Sequence, residues 1–365
     1  MRAALAEKLL VKIMEWDSTQ ITKERPLIQA LSSFKYNEYQ QFSIGTRFIE
    51  SLVKWLNQFE TLEERNIAYD FIMQRLIFIS NDQMLHLVNI TFSDKINPFL
   101  IKKSAETLKI NAFHITKITK SIEYASITRR SLFIGLSDGS RIDQLRRYSG
   151  LNNEQVVPTY QINKEKIDDM IGELRNSNVK DSFNTIFLID DFTASGTSYF
   201  RIEEENKRKG KIYKVISALY DSEADLYNLI DHSENAEVID INIIFYIAID
   251  EAINKLKTEI NEWQHEFSDR FKFNIEVVQK IGDTVKINPL TDNNFIELSK
   301  KYITSDIVDI HFKKAKHEMY FLGYNECALP LILVHNTPNN SMPLLWWAPT
   351  NKDFIGLFPR VTRHR

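Results

Sequence analysis

The chain has 365 residues, 43% of them hydrophobic and 26% charged, with a formal net charge of -3. At roughly 150 residues per domain the length corresponds to about two domains, and the composition excludes collagen-like, mucin-like and wholly disordered chains. The slightly acidic balance supplies no global basic field that would draw the protein onto nucleic acid or an anionic membrane.

The first twenty residues break every apolar run with Glu, Lys or Asp, which is the pattern of an amphipathic helix and not of a signal peptide. Even INIIFYIAI at 241–249 falls far short of the ~20 apolar residues that span a bilayer. A soluble, cytoplasmic protein with no membrane contact is the expectation. The single cysteine, Cys327, cannot close an intrachain disulfide and is expected to be a small buried hydrophobe.

Residues 1–110 hold one glycine, Gly45, and two prolines, Pro26 and Pro98, among long stretches of helical spacing, and are expected to form an all-helical accessory domain. Thr61 with Glu64, and Ser80 with Gln83, have the spacing of capping boxes at helix starts.

From 111 to 248 the pattern changes. Apolar, β-branched runs at 131–137, 155–162, 184–191, 214–220 and 237–247 alternate with helical stretches near 140–149, 163–177, 197–209 and 222–232. Such alternation predicts a parallel sheet with helices on both faces, an α/β core. Residues 249–320, rich in Lys, Glu and Asn, return to helical patterning and are expected to be an insertion. Residues 321–365 contain five of the nine prolines. There LPLILVH at 329–335 reads as a buried strand and NTPNNSMP at 336–343 as a turn, so this segment is expected to pack on the core as a hood.

IFLIDDFTASGTSYF at 186–200 carries the most chemistry. An apolar strand delivers two carboxylates, Asp190 and Asp191, to its carboxyl end, where ligands bind in open α/β sheets. A loop of Thr193, Ala194, Ser195, Gly196, Thr197 and Ser198 follows, and a helix is expected after it, which would make a phosphate cradle of free N–H groups and hydroxyls. Acids beside an anion cradle suit a sugar phosphate.

DDFTASGTS closely resembles the motif with which type I phosphoribosyltransferases bind phosphoribosyl pyrophosphate (PRPP). The resemblance implies that Asp190 and Asp191 bind the ribose 2- and 3-hydroxyls and that Thr193 to Ser198 wrap the 5-phosphate. Ala194 stands where several members have Thr or Asp, and where purine-type enzymes place an acid near the base, so that base candidate is missing. A second strand, loop and helix, SLFIGLSDGSRIDQLRR at 131–147, lies upstream by about the family's distance between its pyrophosphate and PRPP loops. By the same resemblance Ser137, Asp138, Gly139, Ser140 and Arg141 would meet pyrophosphate, with Arg141 supplying charge. Magnesium would be held mainly by the substrate, with Asp190 or Asp191 as the protein donor.

The apolar, turn-rich LVHNTPNNSMPLLWW at 333–347, after such a motif, resembles the carboxyl end of the PRTase-like (PRTase-CE) group of bacterial effectors against phages, including those accompanying some retrons. Asn336, Asn339, Asn340 and Trp346 would then form a hood over the acceptor, amides on its edge and an indole on its face. Partners implied are PRPP and a defence-system complex, such as a retron reverse transcriptase with its DNA, with oligomerisation left open.

Lys164 and Lys166, on a stretch where a mobile lid would lie, and Arg146 and Arg147, which resemble basic helix faces near phosphates, are expected to be solvated helix residues. His311 and His317 are too far apart for a helical zinc pair. The basic tail, with Arg360, Arg363 and Arg365, is expected to be a solvated terminus, with contact to a phosphate backbone as the alternative. Two alternatives to a PRPP-dependent transferase stay open: a PRPP or nucleotide sensor without catalysis, and a scaffold docking a protein or nucleic acid.

Overall fold

The structure is a computed structural model that describes residues 3–177, 180, 182–267, 270–308, 310–313, 318–348 and 354–360, without the side chains of 310 and 311. His317, Arg363 and Arg365, and the side chain of His311, lie outside the described residues. Among those described, the strands are β1 (Ile77–Ile79), β2 (Ser131–Gly135), β3 (Val156–Val157), β4 (Thr185–Thr193), β5 (Arg201–Ile202), β6 (Arg208–Lys209), β7 (Ile239–Ile249), β8 (Phe271–Ile281) and β9 (Leu331–Leu333).

The chain divides into two units, one formed by 84–283 and the other by 1–83 together with 284–365. This differs from the expected partition at 110, 248 and 320. The helix Asn97–Leu108 packs on the sheet, with Phe99 edge-on to Phe187 and the Lys103 ammonium 2.6 Å from the Asp240 carboxylate. It therefore belongs to the α/β unit.

That unit holds a five-stranded sheet in the order β3-β2-β4-β7-β8, every neighbouring pair parallel. β2, β4 and β7 are nearly continuous runs of buried residues, as strands covered on both faces must be. Leu132, Ile134, Ile186, Leu188, Ile241 and Ile243 point to one face, against the apolar sides of the helices Lys164–Asn176, Lys211–Tyr220 and Asp250–Gln264. Phe133 and Phe187 stack on the other, their centroids 4.8 Å apart. The chain runs from β2 outward to β3, then crosses back to β4 on the opposite side of β2, so the topology reverses between β2 and β4. In doubly wound sheets the crevice at such a reversal, at the carboxyl ends of the strands, is where ligands bind.

Four local readings differ from the sequence expectation. KVISALY lies within the helix Lys211–Tyr220, its buried Ile212, Val215, Ile216 and Leu219 recurring at helical spacing. Residues 201–209 form a charged antiparallel hairpin, β5–β6, instead of a helix. Residues 222–232 contain only a short 3-10 turn, Asp225–Leu229. In 249–320 the helix Asp250–Gln264 is present, but β8 follows it and completes the sheet, burying Phe271, Ile275 and Val277.

The other unit is mainly helical. Both capping boxes form: Thr61 and Glu64 cap the helix Leu62–Gln74, and Ser80 and Gln83 exchange the same pair of bonds. The helix at 62 stops before β1, which pairs in parallel with β9, Ile77 opposite Leu331. The Trp55 indole donates to the Leu344 carbonyl at 2.9 Å, and Phe71 stacks on Phe295. The first and last segments thus share one core, built on Phe48, Trp55, Phe59, Phe78 and Phe358. Cys327 is buried in the same unit. No helix among the described residues is long and apolar enough to cross a membrane.

Candidate functional site

The loops that follow β2 and β4 both open at the topological reversal. After β2, Ser137 extends the chain, Asp138–Ser140 make one 3-10 turn, and Arg141 takes a left-handed conformation (φ 46°) before the helix Ile142–Ser149. Such a conformation strains a residue with a Cβ and recurs at functional sites. Asp138 is exposed, Ser140 is buried, and the Ser140 carbonyl accepts from the Tyr246 hydroxyl at 2.7 Å. Gly139 approaches Asp191 so closely that any side chain at 139 would collide with the carboxylate.

β4 carries Asp190, Asp191 and Thr193 within the strand itself. Asp190 has no exposed surface. Its Oδ1 accepts from the Ser137 hydroxyl and from the Asp191 N–H, and its Oδ2 lies 2.6 Å from the Lys211 ammonium. Burial, and after it the neighbouring Asp191 charge, push the Asp190 carboxyl above the usual carboxylate range, against the pull of Lys211 and Ser137. Asp191 is half-buried, and its Oδ1 accepts from the Phe192 N–H at 2.8 Å. Burial lowers Arg141 from its ordinary value, and the Asp191 charge acts in the opposite direction, so guanidinium and carboxylate share one electrostatic environment at the crevice.

Beyond β4 the chain turns through the expected cradle. Thr193, Ala194, Ser195, Gly196 and Thr197 are buried and Ser198 is exposed. The Gly196 N–H donates to Thr193 Oγ1 at 3.1 Å, and the Ser195 and Thr197 hydroxyls share a hydrogen bond of 2.9 Å. No helix starts here, contrary to expectation. The chain enters the β5–β6 hairpin, where the Arg201 guanidinium donates to the Thr197 carbonyl and pairs with Glu203. The loop therefore has no helix N-terminus behind it.

Three residues of this site were not singled out in the sequence. Lys211 reaches Asp190 from the start of the helix that follows the hairpin, and its Nζ also lies 4.8 Å over the Tyr199 ring. Tyr199 in turn donates its hydroxyl to the Phe192 carbonyl. Tyr246, on β7, is held un-ionised first by burial and then by the Asp190 and Asp191 charges. A lysine directly after Gly210, opening an amphipathic helix, was the available signal for Lys211; a tyrosine inside an isoleucine-rich strand gave none.

The expected hood residues lie in the helical unit, in local roles. Asn340 donates to the Tyr324 carbonyl and the Cys327 sulfur, and the Trp346 indole donates to the Ser341 carbonyl. The Asn339 carbonyl accepts from the Tyr324 N–H, and Asn336 is half-buried. Arg360 lies 5.8 Å over the Trp346 ring. Lys164 is exposed and Lys166 half-buried on their helix.

Among the described residues no three His, Cys, Asp or Glu side chains converge as a metal site. Magnesium, which binds through few protein carboxylates and many ligand oxygens, fits Asp191 at the crevice; it does not fit Asp190, which is sealed against Lys211.

No curated protein and no solved structure matches the chain. The PRTase-CE family profile matches residues 52–360, which include the whole parallel sheet, both crevice loops and the Pro/Trp segment. With its reversal-point crevice, paired acids and glycine-bearing loops, the chain belongs to the PRTase-CE family.

Proposed function

We propose that the crevice between β2 and β4 binds PRPP with magnesium and transfers its phosphoribosyl group to an acceptor, releasing pyrophosphate. The observation that carries this reading is the convergence of the two loops, with Asp191 lodged against Gly139. In this arrangement Asp191 accepts hydrogen bonds from the ribose hydroxyls, the 193–198 backbone holds the 5-phosphate, and Arg141 with the 137–141 loop neutralises the departing pyrophosphate. Magnesium, when bound, offsets charge on the pyrophosphate oxygens. The bond from the anomeric carbon to pyrophosphate breaks and a bond to the acceptor forms, so positioning and charge neutralisation dominate the catalysis. Ala194 offers no base for the acceptor proton.

A role as an effector in antiphage defence, acting in the cytoplasm beside a partner complex, belongs to the same proposal and rests on the resemblance alone. A second reading, a sensor that binds PRPP or a nucleotide without turnover, is favoured by the burial of Thr193–Thr197 and the internal pairing of their hydroxyls. Calorimetric titration of magnesium-PRPP into the full chain and into Asp191→Asn tests both. Binding lost in the variant supports the site, and pyrophosphate release against candidate acceptors separates transferase from sensor. Absence of binding to the unaltered chain overturns both.

A further inference from the structure

Asp190 and Asp191 are consecutive strand residues, so their side chains leave the sheet on opposite faces. Asp190 shares its face with Ile186 and Leu188, the face on which the helix Lys211–Tyr220 lies. Both of its oxygens are occupied, by the Ser137 hydroxyl, the Asp191 N–H and the Lys211 ammonium. A carboxylate enclosed in this way cannot accept from a ligand hydroxyl without first giving up a cation, and a buried charge stripped of its partner is strongly unfavourable. Asp191, on the other face, is half-buried and lies beside Gly139.

The three members of the cluster come from three segments: Ser137 from the loop after β2, Asp190 from β4, and Lys211 from the first turn of the helix beyond the hairpin. Lys211 also lies over Tyr199, whose hydroxyl holds the Phe192 carbonyl, so one ammonium reaches both ends of the 193–198 loop. Gly210 makes this geometry available. It has φ 125° and packs so tightly on Tyr199 that a side chain there would collide with the backbone. That approach lets the Lys211 and Ile212 N–H groups donate to the Ser198 and Tyr199 carbonyls at 3.1 and 3.0 Å.

We propose that Lys211 is a positioning residue of the ribose-phosphate site: through Asp190 and Ser137 it holds the 137–141 and 193–198 loops in register and leaves Asp191 as the acid that meets the ligand. The inference rests on the reading of the crevice given above, and it divides between two acids a task that the sequence motif assigns to both.

The test uses the full chain with Lys211→Met, Lys211→Arg, Asp190→Asn and the double variant Asp190→Asn/Lys211→Met. Amide hydrogen exchange is followed at 137–141, at 193–198 and, as an internal reference, at 239–249. Lys211→Met is expected to speed exchange in both loops at least tenfold with the reference unchanged, and Lys211→Arg to stay within about threefold of the unaltered chain. Magnesium-PRPP affinity is expected to fall at least tenfold in each of Lys211→Met and Asp190→Asn, and no more than about threefold further in the double variant, because the two residues act as one unit. Unchanged loop exchange in Lys211→Met overturns the proposal, and so do affinity losses that multiply in the double variant, which would place Asp190 in direct contact with the ligand. If the unaltered chain does not bind magnesium-PRPP, the ribose-phosphate reading fails, while the exchange data still decide whether Lys211 holds the loops.

Discussion

Gly139 lies so close to Asp191 that a single methyl group at 139 would strike the carboxylate. The contact joins the loop after β2 to the end of β4, and it fixes where the acid points. Gly139 does not use the left-handed region, so alanine there is not strained in its backbone; its effect is the displacement of Asp191. Gly139→Ala is expected to weaken magnesium-PRPP binding about tenfold, equivalent to about 1.4 kcal/mol, with the melting temperature nearly unchanged. Calorimetry beside a thermal melt measures both.

Magnesium is expected to act only with its ligand. Among the described residues no cluster of donors could hold the ion unaided. Chelation should therefore leave the melting temperature of the ligand-free protein in place while lowering PRPP affinity at least tenfold. A melt and a titration, each with and without chelator, check the two halves separately.

Glu64 accepts from the Lys301 ammonium, the Tyr302 hydroxyl and the Thr61 N–H at the start of its helix. Burial raises this carboxyl, and the three donors outweigh burial and hold it at about 2. Its unfolded value is about 4.3, so the folded value is the depressed one. The stabilisation is complete above about 4.3 and is lost as pH falls through about 2. Glu64→Gln is expected to melt lower at neutral pH and to show a shallower decline through that window, which thermal melts at stepped pH would record.

Phe71 and Phe295 stack face to face, with centroids 3.5 Å apart and 3° between the ring planes, both nearly fully buried. They join helices drawn from the first and last parts of the chain. Phe295→Ala is expected to cost about 3–5 kcal/mol, the usual range for removing a buried aromatic ring. Amide exchange should rise at 62–74 and 293–302 and remain as it was across the parallel sheet.

What could be read from the sequence was whatever local chemistry determines. The apolar run into Asp190 and Asp191, the glycine-bearing loops and the two capping boxes are short patterns whose physical meaning does not depend on distant neighbours, and each lies where expected. KVISALY misled because its β-branched residues look like a strand, although the spacing 212, 215, 216, 219 is helical. The hairpin at 201–209 looked helical because Glu and Lys favour helices, yet Glu203 instead bridges Arg201 and Lys209 across the two strands. β8 was hidden among charged residues; its alternation of Phe271, Phe273, Ile275 and Val277 with polar neighbours was the signal. The Ser137–Asp190–Lys211 cluster had no local signature, since its members meet only once the sheet is assembled.

The parallel pairing of Ile77 with Leu331 also sets an order of events during synthesis. The α/β unit is one contiguous stretch, and it can close as soon as residue 283 has left the ribosome. The amino-terminal helices are made first but must wait, with Phe48, Trp55 and Phe78 uncovered, until the last segment arrives to supply Leu344 and Phe358. Because contacts between remote parts of a chain form late, the nascent protein passes through a stage in which its middle is finished and its beginning is still sticky. A chain stopped short of β9 would stay at that stage, a substrate for chaperones or proteases.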